Sequence, residues 1–202
     1  MNKSKFRTYD MNNVAAFKKT SELFGGLSNM AGGYPIVVND INILSSEALY
    51  QACRYPDFPE IQSSIIRQRS PMAANMVSKQ EVDKTRPDWL SVRVPIMKWC
   101  LKVKLAQNWD MFSELLESTG NLPIVEVSNI DEYWACKIKE GKYIGGNVLG
   151  RLLMELRDFR KTIQEEELNG ISPLQIVNFK FLGEDMGFVP RKNSNFQQKV
   201  LF

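Results

Sequence analysis

Four polar residues recur at helical spacing about a quarter of the way along the chain: Glu47, Tyr50, Gln51 and Arg54. A helix through this stretch would place a carboxylate, a phenol and an amide on one side, where they could act together on a bound molecule. Ser45 or Ser46 would cap its first turn, whose exposed N–H groups and dipole favour a negative charge. Spacing alone favours an ordinary amphipathic helix with a solvated polar face, and a catalytic face is the alternative.

The chain contains no histidine among its 202 residues. This excludes a catalytic triad or general base built on histidine, and also the common zinc sites. Any chemistry must therefore use carboxylates, lysine, tyrosine or cysteine. The three cysteines, Cys53, Cys100 and Cys136, have apolar or aromatic neighbours, so we expect buried thiols rather than disulfides or metal ligands.

The composition is that of a globular protein, with 44% hydrophobic and 24% charged residues. A chain of this length can bury one good core, so one domain is expected. No apolar run reaches the length of a membrane span, and the first residues lack the apolar core of a signal peptide. We therefore expect a cytoplasmic protein without a membrane partner. The net charge of +3 is too small to demonstrate nucleic-acid binding and does not oppose it.

Two short β-type runs lead into the helix of Glu47. Residues 34–38 and 41–44 are joined by Asn39 and Asp40, a pattern that predicts a hairpin. Residues 24–33, which precede them, contain two Gly-Gly pairs. These predict either a plain surface loop or a loop that faces a ligand.

Helical patterns follow at 60–69, at 71–77 and, with interruptions, at 89–118. Pro95 marks a start or a kink in the last of these, and residues 78–85 are predicted to end the second helix and form a loop. The last pattern also carries a basic run: Lys98, Lys102 and Lys104. A solvated face is the favoured interpretation of this run, and a phosphate-contacting face is the alternative.

A second group of polar residues follows the strand predicted at 122–127. This strand carries Glu126 near its end, and Asp131 comes after a turn, beside Tyr133 and Trp134. The sequence therefore predicts a second acidic cluster at a strand end next to aromatic rings.

A pair of glycines, Gly145 and Gly146, precedes a strongly amphipathic helix predicted from about residue 148. Glycines at this position would allow backbone N–H groups to approach an anion, and Asn147 could cap the helix or donate to a phosphate. The polar end of the chain, residues 191–202, is predicted to be loosely held.

Six segments carry a resemblance to a known family: Gly26-Leu27-Ser28-Asn29, Ser46-Glu47-Ala48-Leu49-Tyr50-Gln51-Ala52, Arg86-Pro87-Asp88-Trp89, Ile124-Val125-Glu126, Asp131-Glu132-Tyr133-Trp134 and Gly146-Asn147-Val148-Leu149-Gly150-Arg151-Leu152-Leu153-Met154. In this order and approximate spacing they resemble the NADAR family, over about residues 24–157. Ala135 departs from the pattern, since many relatives carry glycine there.

The resemblance implies an α+β fold, a mostly helical single domain over residues 1–202 with a small β-sheet and a C-terminal helix and extension at 158–202. It also implies an N-glycosidase. Two activities are associated with such proteins: removal of ADP-ribose from modified guanine in nucleic acid, and cleavage of phosphoribosyl intermediates of riboflavin synthesis.

The segments at 24–29, 46–51 and 86–89 look most like the bacterial branch that is paired with guanine-specific DNA ADP-ribosyltransferase toxins. We therefore expect an antitoxin-type hydrolase that acts on ADP-ribosylated guanine in DNA, with ADP-ribose as its ligand and the toxin as its functional partner. The riboflavin activity is the alternative, and a non-catalytic module that binds ADP-ribose is a second one. We expect no cofactor and no metal site, which insensitivity to EDTA would test.

Breaking a ribosyl C–N bond builds positive charge on the sugar, and glycosidases commonly use two carboxylates for such a reaction. We assign Glu47 and Asp131 to these roles, with Glu126 in reserve. Lys79 is a competing candidate, because a desolvated lysine can attack an opened ribose and form a Schiff base.

Substrate-binding roles are expected for ten residues: Ser28, Asn29, Tyr50, Gln51, Arg86, Trp89, Trp134, Gly145, Gly146 and Asn147. Within this set the aromatic side chains would stack on a base, whereas core packing is the alternative for both tryptophans. The glycines, the asparagine at 147 and the arginine would hold a diphosphate. Arg67, Arg69 and the basic run would follow a nucleic-acid backbone if the substrate is a whole nucleic acid.

Overall fold

The computed structural model describes residues 6–192. Six α-helices occur in this range: α1 (Ser46–Ala52), α2 (Pro59–Ile66), α3 (Pro71–Gln80), α4 (Trp89–Gln107), α5 (Trp109–Ser118) and α6 (Val148–Lys161). The same range holds eleven short strands: β1 (Arg7–Asp10), β2 (Ala15–Phe17), β3 (Ile36–Val38), β4 (Ile41–Ile43), β5 (Ile124–Glu126), β6 (Cys136–Lys139), β7 (Lys142–Gly145), β8 (Gly170–Ile171), β9 (Lys180–Phe181), β10 (Glu184–Asp185) and β11 (Val189–Pro190). The predicted α+β class, mostly helical with small sheets, is confirmed.

The chain divides into two compact units, each built from two separate stretches. The first unit takes described residues 6–28 and 111–163, and the second takes 29–110 and 164–192. The expectation of one domain over 1–202 stays a prediction. The predicted looseness of the chain end falls mainly on residues 193–202, which lie outside the described residues.

The first unit contains a three-stranded antiparallel sheet in the order β1-β7-β6, and the parallel pair β2 and β5. Helix α6 packs on β5 at Gly150, where a Cβ atom would lie 2.2 Å from the carbonyl oxygen of Ile124. Only a residue without a side chain allows that approach. The predicted apolar face of α6 is buried, as the burial of Leu149, Leu153 and Leu156 shows.

In the second unit α1 packs against α2, α3 and α4. The hairpin predicted before α1 is confirmed, because β3 and β4 pair antiparallel around Asn39 and Asp40. Both turn residues have positive φ, at 46° and 61°, which is the backbone of a two-residue hairpin turn. Ser45 caps α1 by accepting a hydrogen bond from the N–H of Ala48 at 3.2 Å.

The last described part of the second unit, residues 164–192, is held by side chains from its helices. Gln107 of α4 donates to the carbonyl of Pro190, and the Trp99 indole donates to the carbonyl of Ser172. Gln62 of α2 donates to the carbonyl of Lys180. The C-terminal region predicted as helix and extension thus contains the end of α6, a 3-10 turn (Glu165–Glu167) and four two-residue strands.

Three expectations about the helices are corrected. Helix α3 continues to Gln80, so Ser78 and Lys79 lie inside it rather than closing it. Pro95 lies inside α4, so it does not mark a helix start, whereas the alternative of a kink at Pro95 stays a prediction. Lys104 is fully buried, so neither a solvated face nor a phosphate-contacting face describes it.

Candidate active site

A buried carboxylate with three amide donors is the centre of the candidate site. Glu47, which is only 5% exposed, lies in the first turn of α1. Its Oε1 accepts N–H groups from Gln51 at 2.8 Å and Asn75 at 2.7 Å, and its Oε2 accepts from Asn29 at 2.7 Å. The solvated-face interpretation of α1 is therefore wrong. The structure brings together three predicted site residues, Glu47, Asn29 and Gln51, and adds Asn75.

The amide of Gln51 is oriented by a second layer of hydrogen bonds. The hydroxyl of Ser78 donates to Gln51 Oε1 at 2.6 Å, so the amide nitrogen must face Glu47. The Tyr55 hydroxyl in turn donates to the Ser78 carbonyl at 2.5 Å. All three of these side chains are buried. A carboxylate held in this way has little freedom to rotate, which is the condition for electrostatic preorganisation.

Two hydrogen-bond acceptors in this cluster lack a full set of donors among the described residues. A carboxylate can accept about four hydrogen bonds, and the three donors to Glu47 leave the open position on Oε2. Asn29 is only 3% exposed, and within the described residues its buried Oδ1 has no hydrogen-bond partner. Buried acceptors without donors are costly. A ligand that brings hydroxyl or N–H groups would satisfy both.

An aromatic pair and an arginine adjoin the carboxylate. The rings of Tyr50 and Trp89 are 5.1 Å apart between centroids, and the guanidinium of Arg54 lies 5.1 Å from the Trp89 ring. Burial and then the negative charge of Glu47 raise the pKa of the Tyr50 phenol, while Arg93 and Arg54 oppose the shift. Tyr50 therefore keeps its proton at physiological pH and can act as a hydrogen-bond donor.

Arg86 does not have the role predicted for it. Its guanidinium makes a paired contact with the Asp88 carboxylate, at 2.6 and 3.0 Å, and it is only 5% exposed. The same group donates to the carbonyls of Val177 and Asn178. Four of the five N–H donors of this arginine are thus used within the protein. Arg86 fastens the loop at 177–178 and is not available to hold a diphosphate.

Lys79 is exposed in the last turn of α3. The Schiff-base hypothesis requires a desolvated amine, and this requirement is not met at Lys79. The buried lysine of this unit is Lys104, whose Nζ lies 4.0 Å from the ring centroid of Tyr34. Burial holds the pKa of Lys104 well below its usual range.

The second predicted carboxylate, Asp131, belongs to the first unit. Its Oδ1 accepts the N–H groups of Tyr133 at 2.7 Å and Trp134 at 2.9 Å, which fixes the turn before β6. Trp134 is half-buried and meets the Tyr133 ring edge to face. Glu126, the reserve carboxylate, is also half-buried. A joint action of Asp131 with Glu47 stays a prediction, as does stacking of a base on Trp134.

The predicted diphosphate site before α6 is filled by the protein itself. The N–H groups of Gly146, Asn147 and Val148 donate to the carbonyls of residues 132, 135 and 133. Cβ atoms at Gly145 and Gly146 would lie 2.4 and 2.6 Å from carbonyl oxygens of the same turn. These glycines therefore allow close backbone packing, and the expectation that they bind phosphate is wrong.

Asn147 also has a structural role. Its side chain does not cap α6. Instead its Nδ2 donates to the Ile124 carbonyl at 2.8 Å and its Oδ1 accepts from the Glu126 N–H at 3.2 Å. Both hydrogen-bonding atoms of the Asn147 side chain thus bond the backbone of β5, rather than donating to a phosphate as predicted.

Ser28 is buried at the end of a 3-10 turn, Gly25–Leu27. Since Gly25, Leu27 and Asn29 are buried with it, a plain surface loop is the wrong description of this segment. A ligand contact of Ser28 stays a prediction.

Four of the basic residues named above, Arg67, Arg69, Lys98 and Lys102, are exposed or half-buried, and their contact with nucleic acid also stays a prediction.

Sequence reasoning missed Asn75, Ser78 and Tyr55. Asn75 and Ser78 are the two short polar side chains at i and i+3 in the otherwise apolar start of α3, a spacing that places them on one helix side. That signal was present, but it does not show that this side of α3 faces Glu47.

Within residues 6–192, no group of three or more Cys, Asp or Glu residues suits a metal ion, and no helix has the length and apolar content needed to cross a membrane.

The NADAR domain family model matches residues 16–159, which is more than half of the chain. The chain therefore belongs to the NADAR family. It is 33% identical over 145 residues to the N-glycosidase YbiA of Escherichia coli K12, covering 72% of this chain and 87% of YbiA. It is 32% identical over 165 residues to the riboflavin biosynthesis protein VVA0006 of Vibrio vulnificus, covering 81% of this chain but only 41% of that protein.

The fold is similar to the NMR structure of E. coli YbiA. The TM-score is 0.64 at 31% sequence identity, over 76% of this chain and 87% of YbiA. The family prediction is thus confirmed, and the pairing with a toxin stays a prediction.

Proposed function

We propose that this protein is an N-glycosidase that removes ADP-ribose from ADP-ribosylated guanine in DNA and so acts as an antitoxin to a DNA ADP-ribosyltransferase. The observation that carries the reaction class is the carboxylate of Glu47, fixed by three amide N–H groups and open at one position on Oε2. The names of relatives such as the N-glycosidase YbiA support that class. The resemblance at 24–29, 46–51 and 86–89 supports the substrate.

The reaction cleaves the bond between C1′ of the ribose and a nitrogen of the base. Its electron pair remains on the nitrogen, water forms the new C1′–O bond, and one proton of the water ends on the leaving nitrogen. Positive charge develops on C1′ and the ring oxygen in the transition state. A fixed carboxylate lowers the energy of that state more than that of the bound substrate, which is what accelerates the reaction.

The cluster suits this chemistry because its open groups are acceptors. Glu47 Oε2 would face the developing cation or accept a proton from the attacking water. The open Oδ1 of Asn29 would accept a ribose hydroxyl. The neutral Tyr50 phenol would donate a hydrogen bond to the substrate, and Trp89 would contact a base.

A second candidate function is cleavage of phosphoribosyl intermediates of riboflavin synthesis. The Vibrio vulnificus relative carries the name of a riboflavin biosynthesis protein, and this observation favours it. Both candidates break a ribosyl C–N bond and would use Glu47 in the same way. They differ in the base and in what is attached to the ribose phosphate.

The test is a time course with a DNA oligonucleotide that carries ADP-ribosylated guanine, following free ADP-ribose. The wild type should release it, and Glu47→Gln should lower kcat roughly 100-fold or more, the scale measured for loss of one preorganised electrostatic group. Glu114→Gln is the matched control, because Glu114 is exposed on α5. It should keep full activity.

The Glu47→Gln variant has a way to fold. Its remaining oxygen can keep the bonds from Gln51 and Asn75, and its new amide nitrogen can donate to Asn29 Oδ1 once the Asn29 amide rotates by half a turn. An active Glu47→Gln protein would contradict the assignment. Cleavage of the riboflavin intermediate alone would select the second candidate. Tight ADP-ribose binding with no cleavage of either substrate would indicate a non-catalytic module.

A further inference from the structure

Arg54 forms no salt bridge with any carboxylate in the described residues. It is half-buried one residue after the C-cap of α1. Its Nη1 donates to Gln51 Oε1 at 3.4 Å and its Nη2 donates to Thr85 Oγ1 at 3.1 Å. Both acceptors are neutral. Among residues 6–192, no Asp or Glu oxygen lies within 4.0 Å of this guanidinium.

The unused donors of Arg54 are specific atoms. A guanidinium has five N–H donors, and two hydrogen bonds leave three of them unused. One is the Nε, which is buried and has no partner in the described part of the chain. A buried N–H without an acceptor is destabilising. An incoming anion would remove this cost.

Arg86 provides an internal comparison. It lies close in sequence to Thr85, the partner of Arg54, yet its guanidinium meets the Asp88 carboxylate and two carbonyl groups. The protein thus neutralises the arginine that has a structural role. Arg54, by contrast, has no direct salt bridge in the described residues, and only the Gln51 amide links it to the Glu47 carboxylate.

Two aromatic rings and a second arginine lie near the guanidinium of Arg54. Its guanidinium lies over Trp89, at 5.1 Å, and near the Tyr55 ring, at 5.8 Å, so its orientation is fixed by aromatic contacts. Arg93 follows Trp89 by one turn of α4 and therefore lies on the same helix side. Its charge, like that of Arg54, acts on the Tyr50 hydroxyl.

We propose that Arg54, assisted by Arg93, binds a phosphate group attached to the ribose of the substrate. This proposal rests on the proposed N-glycosidase function of the Glu47 site. Glu47 Oε2 and Asn29 Oδ1 can accept hydrogen bonds from hydroxyl groups, and the Arg54 guanidinium, which has no salt bridge in the described residues, can bind an anion. A phosphorylated ribose carries both. Oriented guanidinium donors match phosphate oxygens well.

The test measures binding rather than turnover. Calorimetric titration of the wild type with ribose, ribose 5-phosphate and ADP-ribose should show that both phosphorylated ligands bind more tightly than ribose, on the order of tenfold or more for a charge-assisted contact. A monophosphate source is favoured if ribose 5-phosphate binds as well as ADP-ribose. A diphosphate source is favoured if ADP-ribose is clearly better.

Two variants assign the effect to Arg54. Arg54→Gln should lose the preference for phosphorylated ligands, and Arg54→Lys, which keeps the charge, should retain part of it. Arg7→Gln, at an exposed position in β1, is the matched control and should bind like the wild type. Equal wild-type affinity for ribose and ribose 5-phosphate would overturn the proposal without any variant. So would a folded Arg54→Gln protein that keeps the preference.

Failure of the phosphate proposal and failure of the proposed function give different results. If the wild type prefers phosphorylated ligands but cleaves neither candidate substrate, the phosphate site stands and the enzymatic function fails. If the wild type cleaves its substrate equally fast before and after removal of the phosphate groups, the function stands and the phosphate site fails.

Discussion

The hydroxyl of Ser78 donates to the amide oxygen of Gln51 at 2.6 Å, although Ser78 does not touch the Glu47 carboxylate. This bond, together with the longer one that Arg54 donates to the same oxygen at 3.4 Å, decides which end of the Gln51 amide faces Glu47. With the oxygen held by Ser78, the nitrogen is 2.8 Å from Glu47 Oε1. Ser78 is therefore a positioning residue for the candidate catalytic carboxylate.

Replacing Ser78 by Ala should lower kcat about tenfold with little change in KM, since a lost hydrogen bond of this kind is worth about 1 kcal/mol or somewhat more. The amide of Gln51 could then rotate and turn its oxygen towards Glu47. Steady-state kinetics on the cleaved substrate would measure the effect. Ser64→Ala, which removes an exposed hydroxyl on α2, is the control. A Ser78→Ala protein whose kcat is unchanged would contradict the positioning role.

Asn75 should be more sensitive to Asp than to Ala. The Asn75 amide donates to Glu47 Oε1 at 2.7 Å, so Asn75→Ala removes a donor, whereas Asn75→Asp places a second carboxylate beside the first. Like charges at this distance repel. We expect a loss of kcat/KM on the order of 10-fold for Ala and roughly 100-fold for Asp. Equal activities of the two variants would mean that Asn75 only fills space.

Gly146→Ala should destabilise the first unit rather than weaken ligand binding selectively. The added Cβ would lie 2.6 Å from the Tyr133 carbonyl oxygen, so backbone would have to move. Overpacking of this kind costs about 1–3 kcal/mol, measurable as a lower Tm. Gly32→Ala is the control, because nothing lies within 4 Å of its Cβ position. An unchanged Tm with a raised KM would restore the phosphate role that the sequence suggested.

Lys104 should make stability depend on pH. Burial lowers the pKa of Lys104 in the folded protein, although its amine contacts the Tyr34 ring. Between that lowered pKa and the ordinary value of about 10.4, the unfolded chain holds the extra proton, so unfolding free energy rises with pH over this window. The Lys104→Met variant has no amine at this position and therefore lacks this pH dependence of the unfolding free energy.

Urea denaturation of both proteins at two pH values tests the effect of Lys104. The stability of the wild type relative to Lys104→Met should increase from pH 7 to pH 9.5. Lys98→Met, at an exposed position on the same helix, should show no such trend. A wild-type-to-Lys104→Met difference that is the same at both pH values would show that the buried amine titrates normally.

Local sequence patterns predicted the elements well where a local cause exists. The hairpin at Asn39 and Asp40 follows from turn chemistry, and the cap of α1 follows from Ser45. By contrast, β1 and β2 were not predicted. Their partners, β7 and β5, lie more than a hundred residues further along the chain, and pairing at that distance leaves no local signal.

The same distinction explains the candidate site. Glu47 and Gln51 share one helix, so their contact could be expected from a four-residue spacing. The structural role of Arg86 could not be expected in the same way, because two of its acceptors, the carbonyls at 177–178, are distant in sequence, although Asp88 is near. The sequence alone does not distinguish an arginine that binds a ligand from one that holds a loop in place. Only the tertiary contacts separate Arg86 from Arg54.

The side chains that hold residues 164–192 have a consequence for synthesis on the ribosome. Glu47 and its amide donors are synthesised early. Side chains on the surrounding helices α2 and α4 donate to carbonyl groups in residues 164–192, which are synthesised later. The side-chain amide of Gln107, for example, donates to the carbonyl of Pro190, which is synthesised more than eighty residues later. The family match ends at residue 159, so a chain shortened there would lack every one of these acceptors. Within the described residues, the unit that holds the candidate catalytic carboxylate is thus completed after the first unit, by residues that lie outside the family match.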